Sequence, residues 1–295
     1  MKKCGYIAIV GRPNVGKSTL LNALLGEKIA IVSQKPQTTR NRILGVLTKG
    51  ESQFVFVDTP GIHKPQNRLG DFMVETAENS MREADTVVLM VQVGREVTSV
   101  EKNVIDYLKK SGTPGILALN KTDLGTPEEI AETLKTYAAL HDFAAYVPLC
   151  AKNGKQVGDV LSECEKLLPD CDWLFPEDTL TDQPERQLAA EIIREKLLRT
   201  LNKEIPHGLA VVIEEFKDEG SLLRIRAEIF CEKASHKGII VGKNGEELKR
   251  VGSYARADLE KFFGTKVYLN LWVKVKENWR DSVAAVSNFG YRKEP

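Results

Sequence analysis

Short apolar runs alternate with helix-like segments over the first half of the chain. The runs predict buried strands at residues 6–10, 53–57, 87–91, 116–119 and 146–149. A further segment at 42–49 turns back at Gly50 and predicts a hairpin with 53–57. Amphipathic segments between the runs, such as 97–111, predict helices. Strands that alternate with helices indicate an α/β fold with a doubly wound, mostly parallel sheet.

The pattern changes after residue 184. A helix is predicted over 185–201, with Ala189, Ile193, Leu197 and Leu201 at a strict four-residue spacing. Further segments predict strands at 208–216, 222–231 and 266–275, a strand-like run at 239–241, and helices at 246–263 and 278–289. Three strands with grouped helices favour a small α+β domain.

A proline-containing, acidic stretch separates the two patterns. We expect domains at 1–170 and 185–295, joined by a linker over 171–184. The apolar side chains of Trp173, Leu174 and Phe175 are expected to pack on one of the two domains.

Apolar runs, cysteines and charge limit which classes of protein this chain can belong to. No apolar run approaches the roughly 18 residues of a membrane-spanning helix, and the N-terminus enters a strand at once, so we expect a cytoplasmic protein. The five cysteines include no CxxC pair, which favours reduced thiols. Residues 1–184 carry 21 basic and 24 acidic side chains, whereas residues 185–295 carry 21 and 17. A basic second half is compatible with a polyanionic partner and equally with an ordinary solvated surface.

A glycine-rich loop follows the first predicted strand and precedes a helix, the arrangement of a phosphate-binding P-loop. Backbone N–H groups of such a loop and the helix N-terminus point at one anion. Lys17 is expected to reach the outer phosphates, and the Ser18 hydroxyl to bind Mg²⁺. The predicted nucleotide-binding residues here are Gly11, Arg12, Pro13, Asn14, Val15, Gly16, Lys17, Ser18 and Thr19.

Two further elements predict the rest of a magnesium and phosphate site. Asp58 ends a predicted strand and opens the sequence Asp-Thr-Pro-Gly, which places a carboxylate beside the nucleotide crevice. By resemblance to P-loop GTPases, one threonine before this strand is implied to bind Mg²⁺ and sense the γ-phosphate; Thr38 and Thr39 are both candidates, and we prefer Thr39. Lys17, Thr39, Asp58 and Gly61 are the predicted catalytic residues, with Ser18, Thr39 and Asp58 as the magnesium ligands.

Base specificity is predicted by Asn120, Lys121 and Asp123. The Asp123 carboxylate can accept hydrogen bonds from guanine N1–H and the exocyclic amine, which adenine lacks. Asn120 is expected to contact the P-loop, the Lys121 stem to cover the base, and the Ala151 N–H to meet guanine O6, with Lys152 beside it. With the P-loop and Asp-Thr-Pro-Gly in order, the chain resembles the GTPase superfamily of P-loop NTPases, which implies GTP/GDP and Mg²⁺ as ligands.

Hydrolysis is expected to be slow. Ile62 stands where Ras-like GTPases carry the glutamine that orients water, and isoleucine cannot do this. Asn14 occupies a position that resembles K⁺-binding GTPases, including tRNA-modification GTPases. K⁺ binding at Asn14 and a purely structural asparagine remain equal alternatives.

The second half contains Gly242-Lys243-Asn244-Gly245, which resembles the GXXG loop of a type II KH domain. Such a loop packs against single-stranded RNA backbone because glycine has no side chain. The predicted RNA-binding residues are Ile239, Ile240, Gly242, Lys243, Asn244, Gly245, Lys249 and Arg250.

A GTPase domain followed directly by a KH domain resembles the Era-like family of bacterial ribosome-assembly GTPases over essentially the whole chain. The resemblance implies binding to the 3′ end of small-subunit (16S) rRNA, maturation of the 30S subunit, and RNA binding favoured by GTP. We expect a monomer, with association at the inner face of the cell membrane left open. Two rival hypotheses are a regulatory subunit of a modification enzyme and a binding module whose nucleotide never turns over.

Overall fold

The computed structural model describes residues 1–201 and 205–291. It contains two compact units. The first unit comprises Met1–Ala30, Thr39–Pro65 and Met73–Asp182, and the second comprises Ile31–Thr38, Gln66–Phe72 and Gln183–Pro295. The predicted domain bounds stay a prediction, and residues 202–204 and 292–295 of the predicted 185–295 domain lie outside the described residues.

The first unit has the predicted α/β architecture. Its strands are β1 (Lys3–Val10), β2 (Ile43–Lys49), β3 (Ser52–Asp58), β4 (Thr86–Gln92), β5 (Gly115–Asn120) and β6 (Ala145–Pro148). The helices of this part of the chain are α1 (Lys17–Leu25), α2 (Arg68–Glu83), α3 (Ser99–Ser111), α4 (Pro127–Ala138) and α5 (Val157–Leu167), with a short 3₁₀ turn at Thr122–Leu124. The described strands form a sheet of order β2-β3-β1-β4-β5-β6.

The sheet is parallel except at one edge, where β2 and β3 form the predicted hairpin. All seven residues of β3 are buried, as are the first six of β4, because the sheet has apolar clusters on both faces. The carboxyl ends of β1, β3 and β5 therefore lie at one edge of the sheet, and each is followed by one of the predicted nucleotide motifs.

The stretch after α5 is ordered against the first unit by specific hydrogen bonds. The Cys171 N–H donates to the Lys2 carbonyl at 3.1 Å, and the Trp173 indole donates to the Glu51 carbonyl at 3.1 Å. Farther along, the Val46 N–H donates to the Leu180 carbonyl at 2.9 Å. Trp173 and Phe175 pack on a small apolar cluster of this unit, as predicted, whereas Leu174 is half exposed.

The second unit contains the small α+β domain. Its main elements are α6 (Glu185–Thr200), β7 (Ala210–Asp218), β8 (Leu222–Cys231), α7 (Ala234–Val241), α8 (Glu246–Phe263), β9 (Lys266–Val275) and α9 (Val283–Asn288), with 3₁₀ turns at Ile205–Gly208, Lys243–Gly245 and Trp279–Asp281. The sheet order is β7-β8-β9, with β8 antiparallel to β7 and parallel to β9. All four residues of the predicted stripe, three on α6 and Leu201 directly after it, are buried in one apolar core with residues of α8 and the sheet.

Two predicted elements of this unit were wrong. The strand-like run at 239–241 is the last turn of α7, because Gly242 ends a helix that began at Ala234. The predicted helix 278–289 is broken: Trp279 lies in a 3₁₀ turn, where its indole donates to the Gly208 carbonyl at 2.9 Å, and α9 starts after Ser282. Within the described part of the chain, each helix is too short or too polar to span a bilayer.

Candidate functional site

The phosphate loop between β1 and α1 needs its glycines for space as well as for conformation. Gly11 and Gly16 have φ values of +148° and +110°. A Cβ at Gly11 would lie 2.4 Å from the Met90 carbonyl oxygen, and one at Gly16 would lie 2.3 Å from Asn120 Nδ2. Asn14 also adopts a positive φ, of 62°. A side chain at either glycine would therefore displace the loop from β4 or from the β5 terminus.

Lys17 places a buried ammonium group inside this loop. Its Nζ donates to the carbonyl oxygens of Gly11 at 3.2 Å and Arg12 at 3.0 Å. Burial lowers the pKa of Lys17 to about 8, and the Asp58 carboxylate offsets only part of that shift. A phosphate group in the loop would supply the opposite charge that favours the ammonium form.

Ser18, Thr39 and Asp58 bring three side-chain oxygens together. Ser18 Oγ donates to Asp58 Oδ2 at 2.6 Å, while Thr39 Oγ1 lies 2.8 Å from Ser18 Oγ and 3.3 Å from the same carboxylate oxygen. Burial raises the pKa of Asp58 to about 6, although Lys17 and these two hydroxyls act in the opposite direction. Its second oxygen, Oδ1, is buried without a hydrogen-bond partner among the described residues.

This donor set fits a hard divalent cation. Mg²⁺ prefers carboxylate and hydroxyl oxygens, usually with only one or two carboxylates from the protein. A cation here would stabilise the ionised form of Asp58 and satisfy its remaining oxygen. Thr38 does not join the cluster, since its hydroxyl donates to the Lys35 carbonyl at 2.7 Å. The geometry therefore supports the preference for Thr39.

The Asp-Thr-Pro-Gly turn packs directly on the phosphate loop. A Cβ at Gly61 would lie 2.7 Å from both N and Cα of Pro13. The following N–H, of Ile62, donates to the Gly11 carbonyl at 3.1 Å. The Ile62 side chain packs against an apolar cluster of the unit. Gly61 thus allows a close backbone approach, and Ile62 offers no group that could orient water.

At the base end, Asn120 joins two loops. Its Nδ2 donates to the Val15 carbonyl at 2.7 Å, as predicted, and its Oδ1 accepts the Ala151 N–H at 2.9 Å. The contact of the Ala151 N–H with guanine O6 stays a prediction; in this structure the N–H is oriented by Asn120. Lys121 Nζ donates to the Asn14 carbonyl at 2.8 Å, so its stem runs from β5 toward the phosphate loop.

Asp123 is the exposed acceptor at this end of the site. The Cys150 thiol donates to its Oδ1 at 3.1 Å, from a buried position after β6. One carboxylate oxygen is therefore oriented by the protein. Lys152, two residues after Cys150 in the chain, is also exposed.

Sequence reasoning missed the partner of Arg12. Arg12 Nε lies 2.5 Å from Oε1 of Glu101, a fully buried carboxylate on α3. Glu101 also closes a capping box with Thr98, accepting its N–H at 2.9 Å. The Thr-x-x-Glu pattern predicts a helix start, but it gives no sign that the same glutamate pairs with the phosphate loop.

A second missed feature lies in the second unit, where α6 contacts residues 31–38. The Arg194 guanidinium donates to the Thr38 carbonyl, and Glu195 Oε1 accepts the Val32 N–H at 3.0 Å. Arg199 Nη2 donates to the Val32 carbonyl at 3.1 Å. Arg194 and Glu195 are almost fully buried. The segment that immediately precedes Thr39 is therefore held by charged groups of the helix that opens the small domain.

The GXXG loop joins α7 to α8. Gly242 has a φ of +73°, and a Cβ there would lie 2.7 Å from Glu247 Cγ. Gly245 has a φ of +80° with open space beside it. The side chains that can meet a ligand here are exposed: Lys243, Asn244, Lys249 and Arg250. Arg250 also pairs with Glu247 at 2.6 Å.

The two isoleucines predicted to line this groove have different environments. Ile239 is 52% exposed, whereas Ile240 is fully buried in the apolar core of the second unit. The prediction for the Ile240 side chain was wrong. Helical geometry explains the difference, since adjacent residues on a helix point about 100° apart.

Both halves of the chain match known protein families. Residues 6–121 match the family described as 50S ribosome-binding GTPase, and residues 204–280 match the KH domain. GTPase Era of Clostridium kluyveri is 47% identical over 293 residues, which is 99% of this chain and 100% of the relative. GTPase Era of Clostridium botulinum is 48% identical over 295 residues, 99% of each chain.

Two solved Era structures are also similar to this chain over nearly its whole length. A crystal structure of Era in complex with MgGDPNP and nucleotides 1506–1542 of 16S ribosomal RNA matches with a TM-score of 0.95 and 41% identity, covering 99% of each chain. A point variant of Aquifex aeolicus Era bound to GDP·AlF4⁻ matches with a TM-score of 0.94 and 41% identity, over 98% of this chain and 99% of that one. Identity and coverage on this scale show that the chain belongs to the Era family of GTPases, with a P-loop GTPase domain followed by a C-terminal KH domain.

Proposed function

We propose that this GTPase is a nucleotide-dependent switch that binds the 3′ end of 16S rRNA and assists maturation of the small ribosomal subunit. The observation that carries the proposal is the presence, in one chain, of the Ser18–Thr39–Asp58 oxygen cluster and an exposed, cation-flanked GXXG loop. The related Era structure in complex with nucleotides 1506–1542 of 16S ribosomal RNA supports the choice of RNA. In domain terms, 1–170 would bind nucleotide, 171–184 would connect, and 185–295 would bind RNA.

GTP and GDP are the proposed ligands of the phosphate loop, with Mg²⁺ as cofactor. The Era structure with MgGDPNP supports both. Ser18, Thr39 and Asp58 would hold the cation, which supplies positive charge to the phosphate oxygens in the transition state. Lys17 would bind the outer phosphates, while backbone N–H groups of residues 11–19 surround them. Asp123 would select guanine, supported by Asn120, Lys121 and the loop at Ala151 and Lys152.

We propose that the protein alone hydrolyses GTP slowly and that a bound cation or another molecule accelerates the reaction. Phosphoryl transfer to water needs an oriented nucleophile and compensation of the charge that develops on the phosphate oxygens. Lys17 contributes charge and Gly61 lets the turn after β3 approach the phosphate loop closely, but Ile62 cannot orient water. K⁺ bound at Asn14 is proposed as one source of the missing charge, since Asn14 lies exposed at the tip of the phosphate loop.

The switch would act through residues 31–39. Thr39 lies with Ser18 and Asp58, the other proposed Mg²⁺ ligands, and the carbonyl of its neighbour Thr38 accepts a hydrogen bond from Arg194 of α6. A movement of Thr39 on loss of the outer phosphate would therefore strain the contacts of Thr38 and Val32 with α6. Since α6 packs in the core of the small domain, these contacts could change the RNA affinity of that domain. GTP is proposed to favour RNA binding.

Single-stranded RNA would lie against the GXXG loop. Gly242 and Gly245 permit close approach of the backbone, while Lys243, Asn244, Lys249 and Arg250 offer exposed polar or positive groups. Ile239 would contact a base from the end of α7. Cytoplasmic localisation, a monomeric state and association with the inner face of the membrane stay predictions from the sequence.

The deciding experiment measures binding of a labelled RNA with the sequence of nucleotides 1506–1542, with a GTP analogue and with GDP. Gly242→Asp should weaken RNA binding at least 10-fold and leave GTP affinity unchanged, because the new side chain meets Glu247 and adds negative charge beside the loop. Gly264→Asp is the matched control: Gly264 also has a positive φ, of +66°, but open space beside it at the other end of α8.

Tight binding that is favoured by the GTP analogue and lost in Gly242→Asp would support the switch. Equal binding with both nucleotides would contradict the coupling. Binding that is equally weakened by Gly242→Asp and Gly264→Asp would point to general loss of folding, which melting curves would reveal.

A further inference from the structure

Among the described residues, the small domain has a sheet face with exposed aromatic side chains that is separate from the GXXG loop. Successive side chains of a strand point to opposite faces. In β9, Val267 and Val273 are buried at 4% and 7% exposure, whereas Tyr268 and Trp272 are 49% and 59% exposed. The buried valines face the core that contains α6 and α8. Tyr268 and Trp272 therefore lie together on the opposite, outer face of the sheet.

Two cations of β8 lie beside these rings. In the parallel register, Arg224 is opposite Tyr268, and Arg226 is opposite Asn270. The Arg224 guanidinium is 4.9 Å from the centre of the Tyr268 ring. Arg226 is exposed, and Lys274, the next outward residue after Trp272, pairs with Glu228 at 2.5 Å. Arg224 also pairs with Glu219 at 3.4 Å, and Glu228 lies opposite Trp272. The outer face therefore carries aromatic rings, arginines and paired carboxylates, and RNA phosphates would compete with Glu219 for Arg224.

One end of this face is covered and the other is open. Phe230 of β8, opposite Lys274, packs against Phe289 in a tilted arrangement with a centroid distance of 4.5 Å, so the C-terminal segment covers that end. Tyr268 and Trp272 lie beyond this contact. They are four residues apart on one strand, which corresponds to about 13 Å between their Cα atoms. We use the name "outer platform" for Arg224, Arg226, Tyr268 and Trp272.

The chemistry of the outer platform favours nucleic acid over protein. A protein interface needs a contiguous, largely apolar centre within about 800 Å² on each partner. Here polar Asn270 and charged Arg226 separate the two rings. Unpaired bases can stack on separate aromatic rings while arginines contact phosphates, which is how other sheet surfaces bind single-stranded RNA.

We propose that the outer platform is a second RNA-binding surface, on which Trp272 and Tyr268 stack unpaired bases and Arg224 and Arg226 contact the backbone. The inference rests on the RNA-binding function proposed above and concerns RNA outside the GXXG loop. A GXXG loop contacts about four nucleotides. The RNA in the related Era complex spans nucleotides 1506–1542, far more than one such loop can cover.

The test compares two labelled RNAs on the full-length protein with a GTP analogue. One RNA has the sequence of nucleotides 1506–1542, and the other is a short single strand of about six nucleotides from its 3′ portion, sized for the GXXG loop. Trp272→Ala should weaken binding of the long RNA about 5- to 160-fold, which corresponds to about 1 to 3 kcal/mol for loss of one stacked base, and Tyr268→Ala should act in the same direction. Binding of the short RNA should stay unchanged.

Two further variants test whether an aromatic ring at position 272 is required, or whether any exposed apolar side chain would act the same way. Trp272→Phe retains an aromatic face and should stay within about threefold of the wild type. Val283→Ala removes another exposed apolar side chain of the same unit, 69% exposed, and should have no effect. Long RNA should also quench tryptophan fluorescence less in Trp272→Ala than in the wild type.

The outcomes are distinguishable. Unchanged long-RNA affinity in Trp272→Ala and Tyr268→Ala would overturn the outer platform as an RNA site, whether or not the face binds a protein. Equal weakening of both RNAs would overturn it too, because the substitution would then act through the GXXG loop or the fold. If the wild type binds neither RNA, the proposed function itself fails, independently of the platform.

Discussion

The nucleotide site and the GXXG loop use polar side chains in opposite environments. Lys17, Asp58 and Asn120 are at most 6% exposed, and each hydrogen-bonds to another part of the site. Around the GXXG loop, Lys243 and Lys249 are exposed. Buried groups act as a unit, because removing one leaves its partners unsatisfied. Exposed cations act through screened charge and should contribute separately.

This difference predicts how the two regions respond to substitution. A single change in the buried network should have a large, non-additive effect on nucleotide binding, whereas single changes beside the GXXG loop should be small and additive in free energy.

The largest effect is expected from Asn120→Ala. The substitution removes the hydrogen bond to the Val15 carbonyl and leaves the buried Ala151 N–H without its partner. Two lost buried hydrogen bonds should lower GTP affinity by about 100-fold or more. Isothermal titration with GTP and Mg²⁺ measures the effect. Asn103→Ala, on the exposed side of α3, is the matched control and should bind normally. A tenfold effect or less would show that Asn120 is not a structural link of the site.

A second large effect is expected from Gly61→Ala. The new methyl group would lie 2.7 Å from the Pro13 backbone, so the Asp-Thr-Pro-Gly turn must move away from the phosphate loop. Misplacement of groups around the reacting phosphate lowers kcat, here by an expected 10- to 100-fold. Multiple-turnover phosphate release measures this.

Gly158→Ala provides the comparison for Gly61→Ala in the same unit. Gly158 lies in the first turn of α5 with no atom within 4 Å of the added Cβ. The same chemical change should leave kcat unchanged and stabilise the helix slightly. Similar rates for both variants would contradict a role for the close approach at Gly61.

Moderate effects are expected from Lys243→Ala and Lys249→Ala. Each should weaken RNA binding about 3- to 10-fold and reduce the slope of log K against log salt by about 0.7, the value for one phosphate contact with a single strand. The double variant should show the product of the two losses. A double variant no weaker than either single one would show that these lysines also form a coupled network, and the contrast between the two regions would fail.

The sequence was most informative where a function requires a fixed backbone. The glycines of the phosphate loop predicted a tight turn, and Asn120 was expected to contact this loop; the positive φ values of Gly11 and Gly16 and the Asn120–Val15 hydrogen bond confirm both. Which groups of a nucleotide these residues contact stays a prediction. The strands of the first unit were predicted from apolar runs, since buried parallel strands need continuous apolar residues.

The errors came from contacts between residues distant in sequence. Ile239 and Ile240 are chemically identical in the sequence, and only the packing of α7 decides that one is exposed and the other buried. Glu101 and Arg194 look like ordinary helix surface residues in a linear pattern, yet each is buried beside a loop far away in the chain. Tyr268 and Trp272 fit the alternation of a strand, but alternation does not reveal which face stays uncovered.

The smallest effect on nucleotide affinity is expected from Cys150→Ser. This buried residue contacts Asp123, an exposed group of the nucleotide site. The thiol donates to Asp123 Oδ1 at 3.1 Å, and a serine hydroxyl can make the same hydrogen bond at a shorter distance. GTP affinity should therefore stay within about threefold of the wild type. Cys150→Ala removes both the sulfur atom and the donor. Because a thiol is a weak donor, the affinity should fall only about 3- to 10-fold, the equivalent of about 0.7 to 1.4 kcal/mol. Titration with GTP and with GDP measures both variants, with the exposed Cys171→Ser as control. If serine and alanine weaken binding equally, the thiol contributes through packing and not by orienting the carboxylate that would read guanine.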